Sequence, residues 1–169
     1  LPVLDVNDFN ERIIRGYEEG WGERDLPADL SVARSLIPAG TATLRDFSNI
    51  SPEIPLYIPE NCTGCMDCVT ECPDTAILGK VLSETELEEK IKGVPEADRA
   101  RFTLEWSKTK KYYDAYKKKL GDGGMFNIII DPSKCKGCAE CVTVCDDDAL
   151  KMIQKDDNVM SWSRKTHRY

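Results

Sequence analysis

The eight cysteines of the chain form two groups with the same internal spacing. Both groups have the pattern C-x2-C-x2-C-x3-C, and together they use every cysteine: Cys62, Cys65, Cys68 and Cys72, then Cys135, Cys138, Cys141 and Cys145. Three thiolates at this spacing can surround one [4Fe-4S] cube on a tight loop, while the fourth points away from it and serves another cluster. The spacing therefore predicts two [4Fe-4S] clusters with crossed ligand sets. The first set is Cys62, Cys65, Cys68 and Cys145, and the second is Cys135, Cys138, Cys141 and Cys72.

Zinc binding and disulfide formation are the two other uses that these cysteines could have. Structural zinc sites typically pair two short cysteine knuckles across a long gap, whereas here three cysteines lie within seven residues in each group. Disulfides need a geometry that C-x2-C loops satisfy poorly, and an oxidising compartment for which the sequence carries no signal. Iron–sulfur clusters are therefore the favoured interpretation.

A repeat supports this interpretation independently of the cysteine spacing. When residues 58–77 are shifted by 73 positions onto residues 131–150, 10 of the 20 aligned residues are identical without any gap. One structural unit is thus used twice, which predicts a pseudo-twofold core. Gly64 and Gly137 occupy matching positions in the two cysteine loops, where either a positive φ or a close approach of backbone N–H groups to sulfur would explain them.

Composition and charge exclude several classes of protein. The 169 residues carry a net charge of −7, which argues against nucleic acid as a partner because phosphate binding depends on a basic surface. No apolar run has the length of a membrane-spanning helix, and residues 1–6 lack the pattern of a secretory signal. We therefore expect a cytoplasmic protein without a membrane span. No phosphate loop, dinucleotide fingerprint or catalytic triad is visible, so we predict no catalytic residue in this chain.

Extended segments are predicted before each cysteine group, at residues 54–58 and 127–131, the second being rich in isoleucine. After each group, residues 74–78 and 147–152 are predicted to form a short helix followed by a return strand. The core should therefore consist of two similar halves tied together by the crossed cysteines.

A stretch of 62 residues separates Cys72 from Cys135, which is far more than a short link requires. Ser83 and Glu86 have the spacing of a capping box and predict the start of a helix. A second helix is predicted from Pro95 to Leu120, with an apolar stripe on one side. Its other side carries six lysines: Lys108, Lys110, Lys111, Lys117, Lys118 and Lys119. These lysines are either a solvated face or a docking site for an acidic electron acceptor.

The sequence divides into three regions on this basis. Residues 1–53 contain no cysteine and predict an arm that packs on the core or on a partner, with a short helix over residues 8–19. Residues 54–155 form the predicted two-cluster domain, with the helical insertion at residues 83–120. Residues 156–169 form a tail that is either a frayed end or a docking strap.

The cysteine groups and their flanks resemble the bacterial two-[4Fe-4S] ferredoxin fold, an α+β architecture with two similar halves. The likeness covers residues 55–72 and 125–153. One departure is Asp146, which follows the second group where the family usually has proline. The resemblance implies that the chain carries single electrons between its two clusters.

A further resemblance covers residues 48–155. The segment Ile54–Cys62, the acidic residues around Asp146 and the long insertion are similar to the ferredoxin domain or subunit of 2-oxoacid:ferredoxin oxidoreductases, the pyruvate synthase family. This likeness implies thiamine diphosphate and a further cluster in partner catalytic subunits, with coenzyme A as the usual acyl acceptor. It also implies electron delivery to a soluble ferredoxin or a similar carrier. The alternative is a free-standing or differently partnered two-cluster electron carrier.

Overall fold

The computed structural model describes residues 5–25 and 46–169, in two units that divide between residues 46 and 47. Within residues 5–25, the first unit contains three α-helical turns: Val6–Phe9 (α1), Arg15–Glu18 (α2) and Gly22–Asp25 (α3). A π-helical turn joins α1 to α2, so the helix predicted over residues 8–19 is present, although it is not a regular α-helix throughout. Residues 1–4 and 26–45 of the predicted arm lie outside the described residues.

The second unit begins at Phe47, whose backbone N–H donates to the carbonyl of Ser133 at 2.6 Å. Its strands are Glu53–Tyr57 (β1), Ile77–Ser83 (β2), Ser107–Lys108 (β3), Gly124–Ile130 (β4) and Leu150–Gln154 (β5). Its α-helices are Asp67–Thr70 (α4), Glu84–Gly93 (α5), Glu96–Leu104 (α6), Ala115–Leu120 (α7), Glu140–Thr143 (α8) and Asp157–Arg168 (α9). Mixed helices and strands agree with the predicted α+β class.

The strands form two antiparallel sheets that exchange partners between the halves. β1 precedes the first cysteine group and pairs with β5, which follows the second; Ile54 lies opposite Ile153. β2 follows the first group and pairs with β4, which precedes the second; Ile77 lies opposite Ile130. Each half therefore completes its sheet with a strand from the other half, and neither can fold as an independent sheet.

The short helices predicted just after the cysteine groups are wrong in position. They lie earlier, as α4 and α8, and carry the third cysteine of each group. The segments after the groups are turns, because Thr75 and Asp148 have φ values of +50° and +53°, which an α-helix does not accept. The return strands β2 and β5 follow directly from these turns.

The first helix of the insertion agrees with its sequence signature. Ser83 caps α5 by accepting from the backbone N–H of Glu86, and the Glu86 carboxylate accepts from the backbone N–H of Ser83. This reciprocal pair satisfies donors that the first turn of a helix would otherwise leave without partners.

The predicted helix from Pro95 to Leu120 is wrong as a single element. α6 ends at Leu104, and β3 then pairs with the edge of β4, so that Ser107 lies opposite Phe126. Thr109 is extended and starts a new helical segment by accepting from the backbone N–H of Tyr112. The predicted apolar stripe divides at this break: Phe102 and Trp106 are buried before it, whereas Tyr116 and Leu120 are exposed after it.

The tail is an ordered helix rather than a frayed end. Asp156 caps α9 by accepting from the backbone N–H of Val159. Trp162 is buried with residues of the insertion in a second hydrophobic cluster: Leu87, Val94, Phe102 and Trp106. The larger hydrophobic core lies around the cysteines and includes Ile54, Ile77 and Phe126.

No helix among residues 5–25 and 46–169 has the length and apolar character that crossing a bilayer requires.

Candidate metal centres

The two cysteine loops share an unusual backbone conformation. Gly64 and Met66 in the first loop have φ values of +76° and +80°, and Gly137 and Ala139 in the second have values of +68° and +66°. Left-handed conformations cost free energy for residues with a Cβ, so their repetition at matching positions indicates a required loop shape. The glycines were identified from the sequence, whereas Met66 and Ala139 were not, although the internal repeat aligns them.

The first group's loop opens onto a cavity of about 350 Å³, part of which is open to solvent, which we call site 1. Four cysteines line it: Cys62, Cys65, Cys68 and Cys145. Its other walls are mostly apolar and include Tyr57, Phe126, Ile128 and Leu150. Three cysteines of the first group and the last cysteine of the second therefore meet at one place.

The second loop opens onto a matching cavity of about 340 Å³, which we call site 2. Its cysteines are Cys72, Cys135, Cys138 and Cys141. Pro55, Ala76 and Ile77 contribute apolar walls. The structure thus gathers the eight thiols into the two quartets that the spacing predicts.

Backbone N–H groups donate to sulfur at matching positions in the two halves. The N–H of Ala76 lies 3.3 Å from Cys72 Sγ, and the N–H of Ala149 lies 3.3 Å from Cys145 Sγ. The backbone N–H groups of Gly64 and Gly137 also act on the thiols of Cys62 and Cys135, where they lower the pKa. Hydrogen bonds to sulfur stabilise thiolates and are a main way in which a protein sets the potential of an iron–sulfur cluster. The close approach and the positive φ therefore both explain the two loop glycines.

Burial governs the acidity of the cysteines. It raises the pKa of Cys68 and of Cys141 to about 12, with neighbouring cysteines adding to the effect. Burial also raises the pKa of Cys62 and of Cys135, against the lowering effect of their hydrogen bonds. Without a bound metal these thiols keep their protons at neutral pH, so that metal binding must displace them.

Sites 1 and 2 are close neighbours. The pKa of Cys68 in site 1 is raised partly by Cys141 in site 2. These two buried cysteines lie on α4 and α8, the helices that carry the third ligand position of each group. Groups bound in the two cavities would be held at a short and fixed separation by this helix pair.

The donor set and the shape of the cavities fit a [4Fe-4S] cluster. Thiolate is the usual ligand of such clusters, and each cavity offers four thiols on apolar walls together with N–H donors to sulfur. Among the described residues, no three Cys, His, Asp or Glu side chains converge closely enough to hold a single metal ion.

The insertion covers the loop of site 1. Tyr112 lies against Gly64, where an added Cβ would be 2.9 Å from the aromatic ring. The ammonium group of Lys111 donates to the carbonyl oxygen of Gly64 at 3.3 Å. These contacts bring an aromatic ring and a positive charge next to the cluster loop, which the sequence alone did not indicate.

An acidic residue also lies at this cavity. Asp147 lines site 1 and accepts a hydrogen bond from the Thr63 hydroxyl at 2.6 Å. Asp146 is exposed; it stands where the two-[4Fe-4S] ferredoxins that the chain resembles usually have proline. Site 1 therefore has a positive charge from the insertion and a negative charge from the second cysteine group at its rim.

Comparisons with known proteins agree with these cavities. Residues 54–77 and 128–151 each match a 4Fe-4S binding domain family. The chain is 32% identical over 171 residues to the pyruvate dehydrogenase [NADP(+)] of Cryptosporidium parvum, an alignment that covers 98% of the chain and 8% of the relative. It is 33% identical over 125 residues to the pyruvate-flavodoxin oxidoreductase of a Nostoc species, covering 74% and 9% respectively. It is 29% identical over 143 residues to the pyruvate:ferredoxin oxidoreductase of Moorella thermoacetica, covering 85% and 11%. The chain thus spans about a tenth of the length of these relatives.

Proposed function

Because this chain is a ferredoxin-type domain of the 2-oxoacid oxidoreductase family, with two 4Fe-4S binding domains and an electron-transfer role, we propose that it relays single electrons between sites 1 and 2. Site 1 uses Cys62, Cys65, Cys68 and Cys145 as ligands, and site 2 uses Cys72, Cys135, Cys138 and Cys141. The observation that carries this proposal is the meeting of each group's fourth cysteine with the first three cysteines of the other group.

When bound, each [4Fe-4S] cluster supplies a centre that gains or loses one electron. The chain's own residues hold this centre and adjust its environment. Tyr57, Phe126 and Leu150 exclude water from site 1, and Ile77 does the same at site 2. The backbone N–H groups of Ala76 and Ala149 stabilise negative charge on the sulfurs of Cys72 and Cys145.

The crossing of the cysteines also explains why the relay has a fixed geometry. Each half of the fold supplies a strand to the sheet of the other half and a ligand to the cluster of the other half. Binding at either site therefore ties both halves together, and the separation of the two centres is set by the packing of the core.

The electron donor in this proposal is a thiamine diphosphate catalytic part of a 2-oxoacid oxidoreductase, supplied by other subunits or domains. The curated relatives support it, since their names describe pyruvate oxidoreductases whose length is roughly ten times the matched region. The acceptor is an external ferredoxin or a similar one-electron carrier.

The ligand sets are tested by two double variants of the full chain, reconstituted with iron and sulfide without oxygen. Cys65→Ala with Cys145→Ala removes two ligands from site 1 only, so we expect one intact cluster and half of the wild-type iron. Cys65→Ala with Cys72→Ala removes one ligand from each site and should damage both clusters. The reverse pattern would mean that each group binds its own cluster, and absence of iron from the wild-type chain would overturn the proposed function.

A further inference from the structure

A dense positive surface lies on the insertion of this acidic protein. Residues 108–119 contain six lysines and one acidic residue, Asp114, although the whole chain has a net charge of −7. All six lysines are exposed. We call this surface the lysine face: Lys108, Lys110, Lys111, Lys117, Lys118 and Lys119.

The lysine face adjoins site 1 through direct contacts. Lys111 donates to the carbonyl of Gly64, which is one residue before Cys65. Cys65 is itself exposed, so this edge of site 1 reaches the surface next to the insertion. A protein bound on the lysine face would therefore lie close to the site 1 cluster, as electron transfer between proteins requires.

Part of the lysine face is held in place and part is available to a partner. Glu84 pairs with Lys108 at 2.9 Å and with Lys117 at 3.7 Å, and these lysines also bond to the Tyr113 hydroxyl. The other group of lysines has no ion pair with any described residue: Lys110, Lys118 and Lys119. On α7, Tyr116 and Leu120 are 44% and 72% exposed beside them. Exposed aromatic and aliphatic groups among charges are typical of a protein-binding surface.

Among residues 5–25 and 46–169, the matching loop of site 2 has different neighbours. There the loop glycine, Gly137, contacts Ser51 and the backbone of Glu53 instead of the insertion. The neighbouring Lys136 is neutralised by Asp74 at 2.6 Å. In the part of the chain that the structure describes, the lysine face therefore adjoins the loop of site 1 and not that of site 2, which distinguishes the two ends of the relay.

We propose that the lysine face is the docking surface for a small acidic ferredoxin, and that electrons leave this chain through site 1. This inference rests on the proposed function, which it makes more specific. In the transfer step one electron passes from the reduced chain to the oxidised carrier. The chain is thereby oxidised by one electron and the carrier is reduced by one electron. Opposite charges on the two surfaces raise the rate of encounter, and added salt weakens the effect.

The test measures the rate at which the reduced, cluster-loaded chain reduces an acidic two-cluster ferredoxin in stopped flow, at several salt concentrations. The test variant combines Lys110→Gln, Lys118→Gln and Lys119→Gln. The control removes the same charge elsewhere with Lys90→Gln, Lys92→Gln and Lys151→Gln. Two of these residues are at the end of α5 away from Glu84, and the third is on β5.

At low salt we expect the test variant to react about tenfold more slowly than wild type, with less than about a twofold change in the control, since electrostatic steering contributes factors of this order or larger. The difference should disappear at high salt. Equal rates for the two variants would overturn the docking proposal while leaving the relay intact. A wild-type chain that is reduced by dithionite but passes no electron to the carrier would overturn the proposed electron delivery itself.

Discussion

The aromatic ring of Tyr112 lies parallel to that of Phe126, with centroids 5.0 Å apart and an angle of 5° between the planes. Phe126 lines site 1 from β4, and Tyr112 belongs to the insertion and contacts Gly64 in the cluster loop. The stack therefore fixes Tyr112 between the core and the loop. Because the ring cannot move freely, the space above Gly64 is closed to a larger side chain.

Replacement of Gly64 by alanine should destabilise the site 1 cluster for two reasons. The φ of +76° is strained for alanine, and the new Cβ would come within 2.9 Å of the Tyr112 ring. Gly121→Ala is the matched control, since its φ is +77° and no heavy atom lies within 4 Å of its added Cβ. We expect Gly121→Ala to cost about 1 kcal/mol in the free energy of unfolding, from the backbone alone.

The measurement for this pair is the bleaching rate of the visible cluster absorption in air or chelator, together with thermal unfolding. Gly64→Ala should lose its site 1 cluster faster than Gly121→Ala and unfold at a lower temperature. A Tyr112→Leu background should relieve part of the effect. Identical behaviour of the two alanine variants would show that the ring contact contributes nothing.

Lys111→Gln should lower the reduction potential of the site 1 cluster. A cation near a cluster favours the more negative, reduced state, and Lys111 lies 3.3 Å from the Gly64 carbonyl. We expect a decrease of about 20–60 mV, where 59 mV is a tenfold change in a one-electron equilibrium. Lys118→Gln is the control, because Lys118 makes no hydrogen bond to the cluster loop of site 1. The potential is read from an EPR-monitored titration, in which the site 1 signal is identified as the one that Cys65→Ala removes.

Asp147→Asn should change the same potential in the opposite direction. Asp147 lines site 1 and its negative charge disfavours the reduced state. Asparagine can still accept the hydrogen bond from Thr63, so the loop should keep its shape. Asp146→Asn should raise the potential as well, although Asp146 does not line the cavity. If the reduction potential of the site 1 cluster rises in neither variant, these two acids only stabilise the local turn.

Removal of the clusters should unfold the main core, since three buried cysteines belong to it: Cys68, Cys135 and Cys141. In cluster-binding proteins the free energy of metal binding is a large part of the free energy of folding. We expect the chelated chain to lose cooperative thermal unfolding by circular dichroism, and to regain it after reloading with iron and sulfide. Cooperative melting at an unchanged temperature without iron would contradict this.

The grouping of the cysteines was predictable from the sequence because ligand spacing is a local property. Three cysteines in seven residues must surround a common point, and the fourth must leave it. The contact between Lys111 and Gly64 was not predictable, since it joins residues that are 47 positions apart and depends on how the insertion folds back. The helical period of apolar residues likewise continues through residue 107 in the sequence. In the structure, the pairing of β3 with β4 interrupts the helix there. Tertiary pairing overrides local pattern at this position.

The last prediction concerns pH and the packing of the terminal helix. Glu105 accepts a hydrogen bond from Trp162 Nε1 at 2.6 Å, and burial raises the pKa of this carboxyl against the lowering effects of Trp162 and Arg101. A carboxyl with a higher pKa in the folded state binds its proton more tightly there than in the unfolded state. The contribution of Glu105 to stability is therefore most favourable at low pH and is lost as the pH rises through the folded-state pKa.

Glu105→Gln should remove this pH dependence while keeping an acceptor for Trp162. At pH 7 to 8 we expect the variant to be more stable than wild type by roughly 0.5–1 kcal/mol, with the difference shrinking as the pH falls toward 5. Glu105→Ala is the comparison, since it leaves the buried indole N–H without a partner and should destabilise the helix at every pH. Thermal unfolding of the cluster-loaded protein without oxygen, followed by tryptophan fluorescence, measures both variants. A Glu105→Gln difference that stays constant from pH 5 to 8 would show that the buried carboxyl carries no extra cost when ionised.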